Sequence, residues 1–414
     1  MSTLSLIGLI IPTLFAIFLY LFYDRKVVWW EFLILFAVSL ASVGIVKLIA
    51  DNSNTKDIEY WNGTKDEVQY YEPWDEEVPC THSYSCNCTT DSKGNESCST
   101  CYMHPYDVDY HPAEWTLVTS IGNYSISENE YNRLVTKFGN KSFVNMNRDY
   151  HSINGNMYKA VWPRTDITLE GVTEKRSYEN RPKASNSVFS YPTVDSTDRA
   201  NYKLYDHPEV YGLVQKHILG YGDQTTGVAE HQMECLNGRL GPVKEIACFI
   251  MIFRNKTERA AELQEAYWHG GNKNEFSVCI GLDAANNVLW CKCFSWSEVA
   301  EPKITIRNFV TEMKVLNLSK VVTFMTPELT LKYKRKHFRD FNYLSIPMTS
   351  GQLIAALITT IIIDIGIAFF VVLNDVEDTD DNVEETINLK KFCNNIRKFF
   401  INIVNKFKSV LNKK

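Results

Sequence analysis

Neither sign of charge dominates this chain: 43 lysines and arginines stand against 49 aspartates and glutamates, a net of −6 over 414 residues. That near balance removes the bulk electrostatic case for a nucleic-acid partner. The short signatures of common chemistries are missing too. There is no G-x4-G-K-[ST] phosphate loop, no H-E-x-x-H pair and no G-x-S-x-G elbow. Gly270-Gly271 in WHGGNKNEF lacks the phosphate-loop frame and follows an expected helix, so a helix end and turn account for the glycines. His207, His217 and His231 show no metal-ligand spacing. A catalytic triad is assembled in space and is not legible here. The expectation is a protein without enzymatic activity.

Charge is absent altogether from residues 4–23, LSLIGLIIPTLFAIFLYLFY. A run of about 20 apolar residues crosses a hydrocarbon core. It lacks the basic n-region and small-residue cleavage site of a signal peptide. After Asp24-Arg25-Lys26 a second apolar run covers 27–49, with Trp29 and Trp30 suited to an interface. Glu31 and Lys47 lie near its ends, where long side chains can snorkel. A third run, QLIAALITTIIIDIGIAFFVVL, covers 352–373.

The expected fold class is therefore a multi-domain membrane protein with α-helical transmembrane segments and a large soluble region. The N-terminal hairpin occupies 4–49 (helices 4–23 and 27–49), and a third helix occupies 352–373. An acidic linker (374–386) and a basic amphipathic helix (387–414) follow.

Asp364 sits near the middle of the third run. Burying a carboxylate there costs on the order of 3 kcal/mol on insertion scales, which makes it a functional candidate. One reading is a hydrogen-bonded Asp364 joining this helix to Ser39 or Ser42; the other is proton or ion transfer. A single acidic residue is not a conduction pathway. The Arg25-Lys26 link favours the cytoplasm, which places the soluble region (51–350) outside it and the tail inside. KYKRKHFRD, just before the third run, argues the other way. In the tail, Phe392, Ile396, Phe399, Phe400, Ile403, Phe407 and Val410 recur at helical spacing, with Lys391, Arg397, Lys398, Lys406 and Lys413 among them. Such a helix can lie on an anionic lipid surface.

Within the soluble region, residues 51–206 alternate short aromatic and β-branched runs with turn residues, as an irregular β-rich subdomain would. Residues 207–346 read as an α/β subdomain with one mixed sheet. VKEIACFIMIF (243–253) is a buried strand, KTERAAELQEAYW a helix with Ala260, Leu263, Ala266 and Tyr267 on one face. NEFSVCIGL and VLWCKCFSW form a hairpin about Asn286-Asn287, and PKITIRNFVTEMKVL is a further helix.

Residues 86–101, CNCTTDSKGNESCSTC, carry the sharpest local signal. Cys86, Cys88, Cys98 and Cys101 could converge on a structural zinc ion, with Cys80, His82, His104 and His111 near enough to replace a ligand. The C-x-C arm departs from the usual C-x2-C pair. In an oxidising compartment the same four pair as disulfides from Cys86 and Cys88 to Cys98 and Cys101, in a connectivity the sequence does not fix. Either role is structural. No cofactor is expected beyond that alternative zinc.

The pieces WEFLILFAVSLA, EYWNG, YSCNC, CSTCY, RSYENRPKA, NGRLGPVKEIACFIMIF, AYWHGGNKNEF and KRKHFRDFNYL, in order over residues 31–344, carry a resemblance. The chain resembles a family of membrane proteins encoded by large tailed phages and some bacteria, to which no biochemical activity is assigned. The resemblance implies two N-terminal helices, a cysteine-containing ectodomain, and action at the host membrane on lipids or on a host or partner membrane protein. The third helix and the basic tail lie outside that pattern. Residues 207–346 are also similar to the TPM domain, which implies a membrane-tethered hydrolase as the alternative. None of that domain's acidic metal ligands can be placed on residues here.

Overall fold

The computed structural model describes residues 10–17, 29–139, 141–146, 150–165, 167–185 and 191–375. The first expected span is thus described only over 10–17, as helix. Most of the acidic linker and the basic segment with Lys391, Arg397, Lys398, Lys406 and Lys413 lie outside the described residues. The chain combines helices with several sheets and divides into two compact units. One is Met1–Ala50 with Met348–Lys414, the other Asp51–Pro347.

Helix α1 (Trp29–Thr55) outruns the expected end at residue 49 and passes directly into β1 (Lys56–Tyr71). Thr55 Oγ1 donates to the Asp51 carbonyl at 2.7 Å, so the polar last turn keeps a helical partner. β1 serves two sets of neighbours in turn. Residues 56–64 pair with β11 (Gly171–Glu179), and past a bulge at Lys65/Glu67 the strand lies between β6 (Glu114–Thr119) and β10 (Met157–Val161). β7 (Gly122–Ser125) and β8 (Ser142–Val144) complete this sheet, in the order β7-β6-β1-β10-β8.

Over it packs α2 (Glu128–Phe138), whose Ser127 cap accepts the Glu130 N–H at 3.2 Å. Tyr131 and Leu134 of this helix meet Val68, Leu117, Ala160, Trp162 and Val172. Beside this body stand a three-stranded sheet of β5 (Tyr106–His111), β2 (Trp74–Pro79) and β9 (Tyr150–Asn154), and the hairpin of β3 (Ser83–Thr90) with β4 (Glu96–Tyr102).

After two short helices, α3 (Arg181–Ala184) and α4 (Ser196–Tyr202), and the pair β12 (Val210–Tyr211) and β13 (Val214–Gln215), the α/β layer begins. Its sheet runs β14 (Ile218–Leu219), β15 (Ala247–Arg254), β16 (Glu275–Leu282), β17 (Val288–Ser295). The first three are parallel and β17 is antiparallel, so the sheet is mixed. β15 is apolar from Ala247 to Phe253 because both its faces are covered. Cys248, Ile250 and Ile252 face α5 (Asp223–Lys244), α7 (Glu301–Thr311) and α8 (Leu318–Lys332). Phe249, Met251 and Phe253 face α6 (Arg259–Tyr267), Trp268 and Tyr60 of β1.

Tyr60 therefore belongs to the core of the α/β layer, and Asp51–Pro347 forms one compact unit. Asn274 strengthens the tie by donating to the Tyr60 carbonyl at 2.5 Å. Two element boundaries differ from the sequence reading because of packing. The 243–253 segment becomes strand only at Ala247, because Val243 and Lys244 still finish α5. The helix expected through residue 316 stops at Thr311, so that Val315 can bridge to Asn287 and Leu316 N–H can reach the Asn286 carbonyl at 3.1 Å.

In the other unit, α9 (Ser350–Asp375) meets α1 at Ser39, Ser42, Thr360 and Asp364. Among the described residues, two helical segments, Leu33–Thr55 and Ser350–Ile367, are long and apolar enough to cross a membrane.

Candidate functional site: the stapled hairpin and its root

The four clustered cysteines form two nested disulfides, Cys86–Cys101 and Cys88–Cys98. Local backbone explains the C-x-C arm. In a regular strand Cys86 and Cys88 would keep the same register as their partners. Here Asn87 takes a left-handed conformation (φ 48°), and pairing slips by one residue between Cys86↔Ser99 and Thr89↔Ser97. Asn tolerates that region better than most residues, and the resulting bulge lets both cysteines meet β4. At the tip, Asp91 accepts from the N–H groups of Lys93 (2.8 Å) and Asn95 (2.9 Å), which hold its carboxyl below the usual range. All four cysteines are paired in this way.

A different group gathers at the hairpin root. β2 and β5 pair as far as Pro79↔Tyr106, β3 and β4 start at Ser83↔Tyr102, and Met103 N–H donates to the His82 carbonyl at 3.0 Å. The junction between the two ladders brings together Cys80, His82, His104 and Asp107, with ligand atoms all within 4.8 Å of one another. Such a group can hold a metal ion. Asp107 was not visible in the sequence as a candidate. Val78↔Asp107 pairing is what carries it to Cys80. His111 does not join them: it stacks on Trp74 (4.4 Å) and lies 2.7 Å from Glu76.

The three histidines singled out in the sequence go to three separate carboxylates. His207 is 3.2 Å from buried Glu275 and stacks on Trp268 at 3.9 Å. His217 lies 3.1 Å from Glu230. His231 lies 3.2 Å from Glu234, with Cys235 Sγ 3.7 Å from its other nitrogen. This last row invites a thiol-hydrolase reading, and it lies beside an open cleft lined by Lys65, Glu130, Arg133, Glu170 and Glu234. The chemistry does not follow. Cys235 is buried mid-helix, where neighbouring N–H groups are spent on the helix ladder and cannot form an oxyanion hole. In the cleft, burial pushes Glu170 up, but bonds from Arg133, Lys137 and Lys65 outweigh it and hold its carboxyl at about 2. A carboxylate so strongly held is a poor proton carrier near neutral pH.

Asp364 is fully buried in its unit, with both carboxylate oxygens 2.8 Å from Ser39 Oγ. Ser42 lies 3.3 Å from Thr360 one turn away, and both Ser42 and Thr360 also bond carbonyls of their own helices. No family model, no curated protein and no solved structure matches the chain.

Proposed function

We propose that this is a membrane-anchored, non-enzymatic protein whose residues 51–347 act on the extracytoplasmic side, with the tail in the cytoplasm. The observation that carries the reading is how the cysteines are sorted. Among the described residues, the four hairpin cysteines, exposed or half-exposed, are paired, whereas Cys80, Cys235, Cys248, Cys279 and Cys291 are buried thiols, and half-buried Cys293 is the one exception left as a thiol. Burial pushes the Cys248 thiol far up, which makes it a poor nucleophile. Surface pairing with core thiols is the pattern of a chain that met an oxidising environment.

The two apolar helices supply the anchor, and the Ser39–Asp364 hydrogen bond joins them where hydrocarbon offers the carboxylate no other partner. The basic segment around Lys391, Arg397, Lys398, Lys406 and Lys413 would meet anionic lipid on the inner face. The stapled hairpin presents Tyr84, Tyr102 and Met103 to solvent, with Val108 and Tyr110 on neighbouring β5. Exposed tyrosine and methionine are the residues interfaces favour, so this region is the contact surface for a partner membrane protein. The resemblance to phage-encoded membrane proteins makes the host envelope the setting.

Sidedness tests the reading. After mild reduction, Cys86, Cys88, Cys98 and Cys101 are expected to react with an impermeant maleimide added outside intact cells. Labelling of those four only in inverted vesicles, without prior reduction, overturns it.

A further inference from the structure

We propose that the hairpin root is a structural zinc site, with Cys80, His82, His104 and Asp107 as its four ligands. It is independent of the anchor and of the partner surface.

The ligand chemistry is preset on the His104 ring and on the carboxylate. His104 Nδ1 is 2.8 Å from the Tyr106 carbonyl, which can only accept, so Nδ1 carries the proton and Nε2 is left as a bare lone pair. That arrangement, with the second nitrogen donating to a backbone carbonyl, is how metal-bound histidines are usually oriented. Nε2 then faces Cys80 Sγ at 3.7 Å. Asp107 is fixed from behind, its Oδ2 accepting the Thr81 N–H at 2.8 Å, which leaves Oδ1 toward His82 Nδ1 at 3.3 Å.

Those two separations fit two edges of a tetrahedron about zinc. With Zn–S about 2.3 Å and Zn–N and Zn–O about 2.0 Å, an S···N edge is about 3.6 Å and an N···O edge about 3.3 Å. A thiolate with two imidazoles and a carboxylate gives a net charge of zero with Zn²⁺. One soft and three borderline or hard donors suit zinc better than copper(I) or magnesium.

The surroundings supply the reason for such a site. From residue 80 to residue 107 only Cys80 is buried. It is 6% exposed, and its sulfur contacts His104 and the His82 carbonyl. A segment with no apolar core of its own needs staples. The disulfides close the shaft of the hairpin, but neither reaches the chain below Ser83↔Tyr102. The ion closes the root.

Cobalt is the probe. Full-length protein purified in detergent, stripped with chelator and titrated with Co²⁺, should take up one equivalent. It should show tetrahedral d–d bands with a thiolate-to-cobalt charge-transfer band, displaced stoichiometrically by Zn²⁺. Cys80→Ser should abolish the charge-transfer band, and Cys235→Ser should leave it intact. Asp107→Asn, at a solvent-accessible position, should weaken cobalt binding more than about tenfold, the loss seen even for outer-shell partners, with an unchanged circular dichroism spectrum. Full band intensity in Cys80→Ser, loss of the band in Cys235→Ser, or unaltered affinity in Asp107→Asn each overturns the proposal. Should Cys80→Ser fail to fold, the Asp107→Asn affinity decides alone.

Discussion

Nested disulfides stabilise less than the sum of their parts, and the hairpin gives numbers to that statement. Cys86–Cys101 closes 15 residues and Cys88–Cys98 closes 10. In the chain-entropy treatment these loops alone are worth about 3.0 and about 2.7 kcal/mol. With the inner bridge in place, the outer one closes only the five residues left between the two rings, worth about 2.1 kcal/mol. Both bridges together then give about 4.8 kcal/mol, not about 5.7, a coupling of about 1 kcal/mol. The double substitution Cys86→Ser/Cys101→Ser is thus expected to cost about 2 kcal/mol, Cys88→Ser/Cys98→Ser slightly less, and all four about 5. The hairpin has no buried apolar residue between 83 and 102, so this free energy belongs to local opening and not to the body. Hydrogen exchange of the Tyr84 amide, which faces the partner strand, reads the local term, and a thermal melt reads the body. A melt lowered in step with the exchange protection would show the hairpin to be part of the global folding unit and refute the reasoning. So would additive losses in the quadruple variant.

Helix α5 offers a pair of glycine substitutions of opposite sign. A Cβ on Gly241 would stand 2.2 Å from the Asn62 carbonyl oxygen of β1, so Gly241→Ala should destabilise by about 1–3 kcal/mol in chemical denaturation. A Cβ on Gly227 meets nothing within 4 Å, and Gly227→Ala should stabilise by about 0.4–1 kcal/mol. For Glu170 the folded carboxyl sits at about 2, below its ordinary 4.5. Its contribution is therefore complete above pH 4.5 and lost as pH falls toward 2. Glu170→Gln should lower the melting temperature at pH 7 and converge on the parent protein near pH 2, and an equal deficit at both pH values would contradict the ion-pair account. At the helix pair, Asp364→Leu removes the acceptor for Ser39 and should weaken association by about 0.6 to 1.7 kcal/mol in detergent unfolding, whereas Asp364→Asn keeps an acceptor and should lose less.

What was legible in the sequence is what local periodicity encodes. The continuous apolar run of β15, the helix with Ala260, Leu263 and Ala266 buried, and the hairpin about Asn286-Asn287 all reappear. Helix α5 escaped notice although Ala229, Met233, Leu236 and Leu240 keep helical spacing. Gly227, Gly238, Gly241 and Pro242 read as breakers, yet two of those glycines are there because β1 passes against the helix backbone. That reason exists only in three dimensions. Likewise α8 carries Pro327 within it. The disulfide connectivity depended on a one-residue bulge at Asn87, and the root group on the β2–β5 register, neither of which spacing alone contains. β1 and β11 pair across more than 100 residues, so the assignment of 51–206 and 207–346 to separate subdomains could not anticipate that β1 feeds both cores.

The opposite treatment of the two halves of residues 51–347 has one physical source. The α/β layer buries β15 and β16 almost completely, and its cysteines pack as small apolar side chains whose reactivity burial suppresses. The segment from 80 to 107 buries one residue and cannot be held by apolar area, so its cysteines serve as cross-links. Such a segment resists opening without a core behind it, which frees its outward side chains from packing duty. Tyr84, Tyr102 and Met103 stay on the surface at 49%, 59% and 68% exposure because nothing beneath needs them. A hairpin stiffened covalently also loses less conformational entropy on docking than a flexible loop of equal length. The staples and the exposed aromatic residues thus share one origin: rigidity is supplied by bonds, and the outward side chains are released from packing.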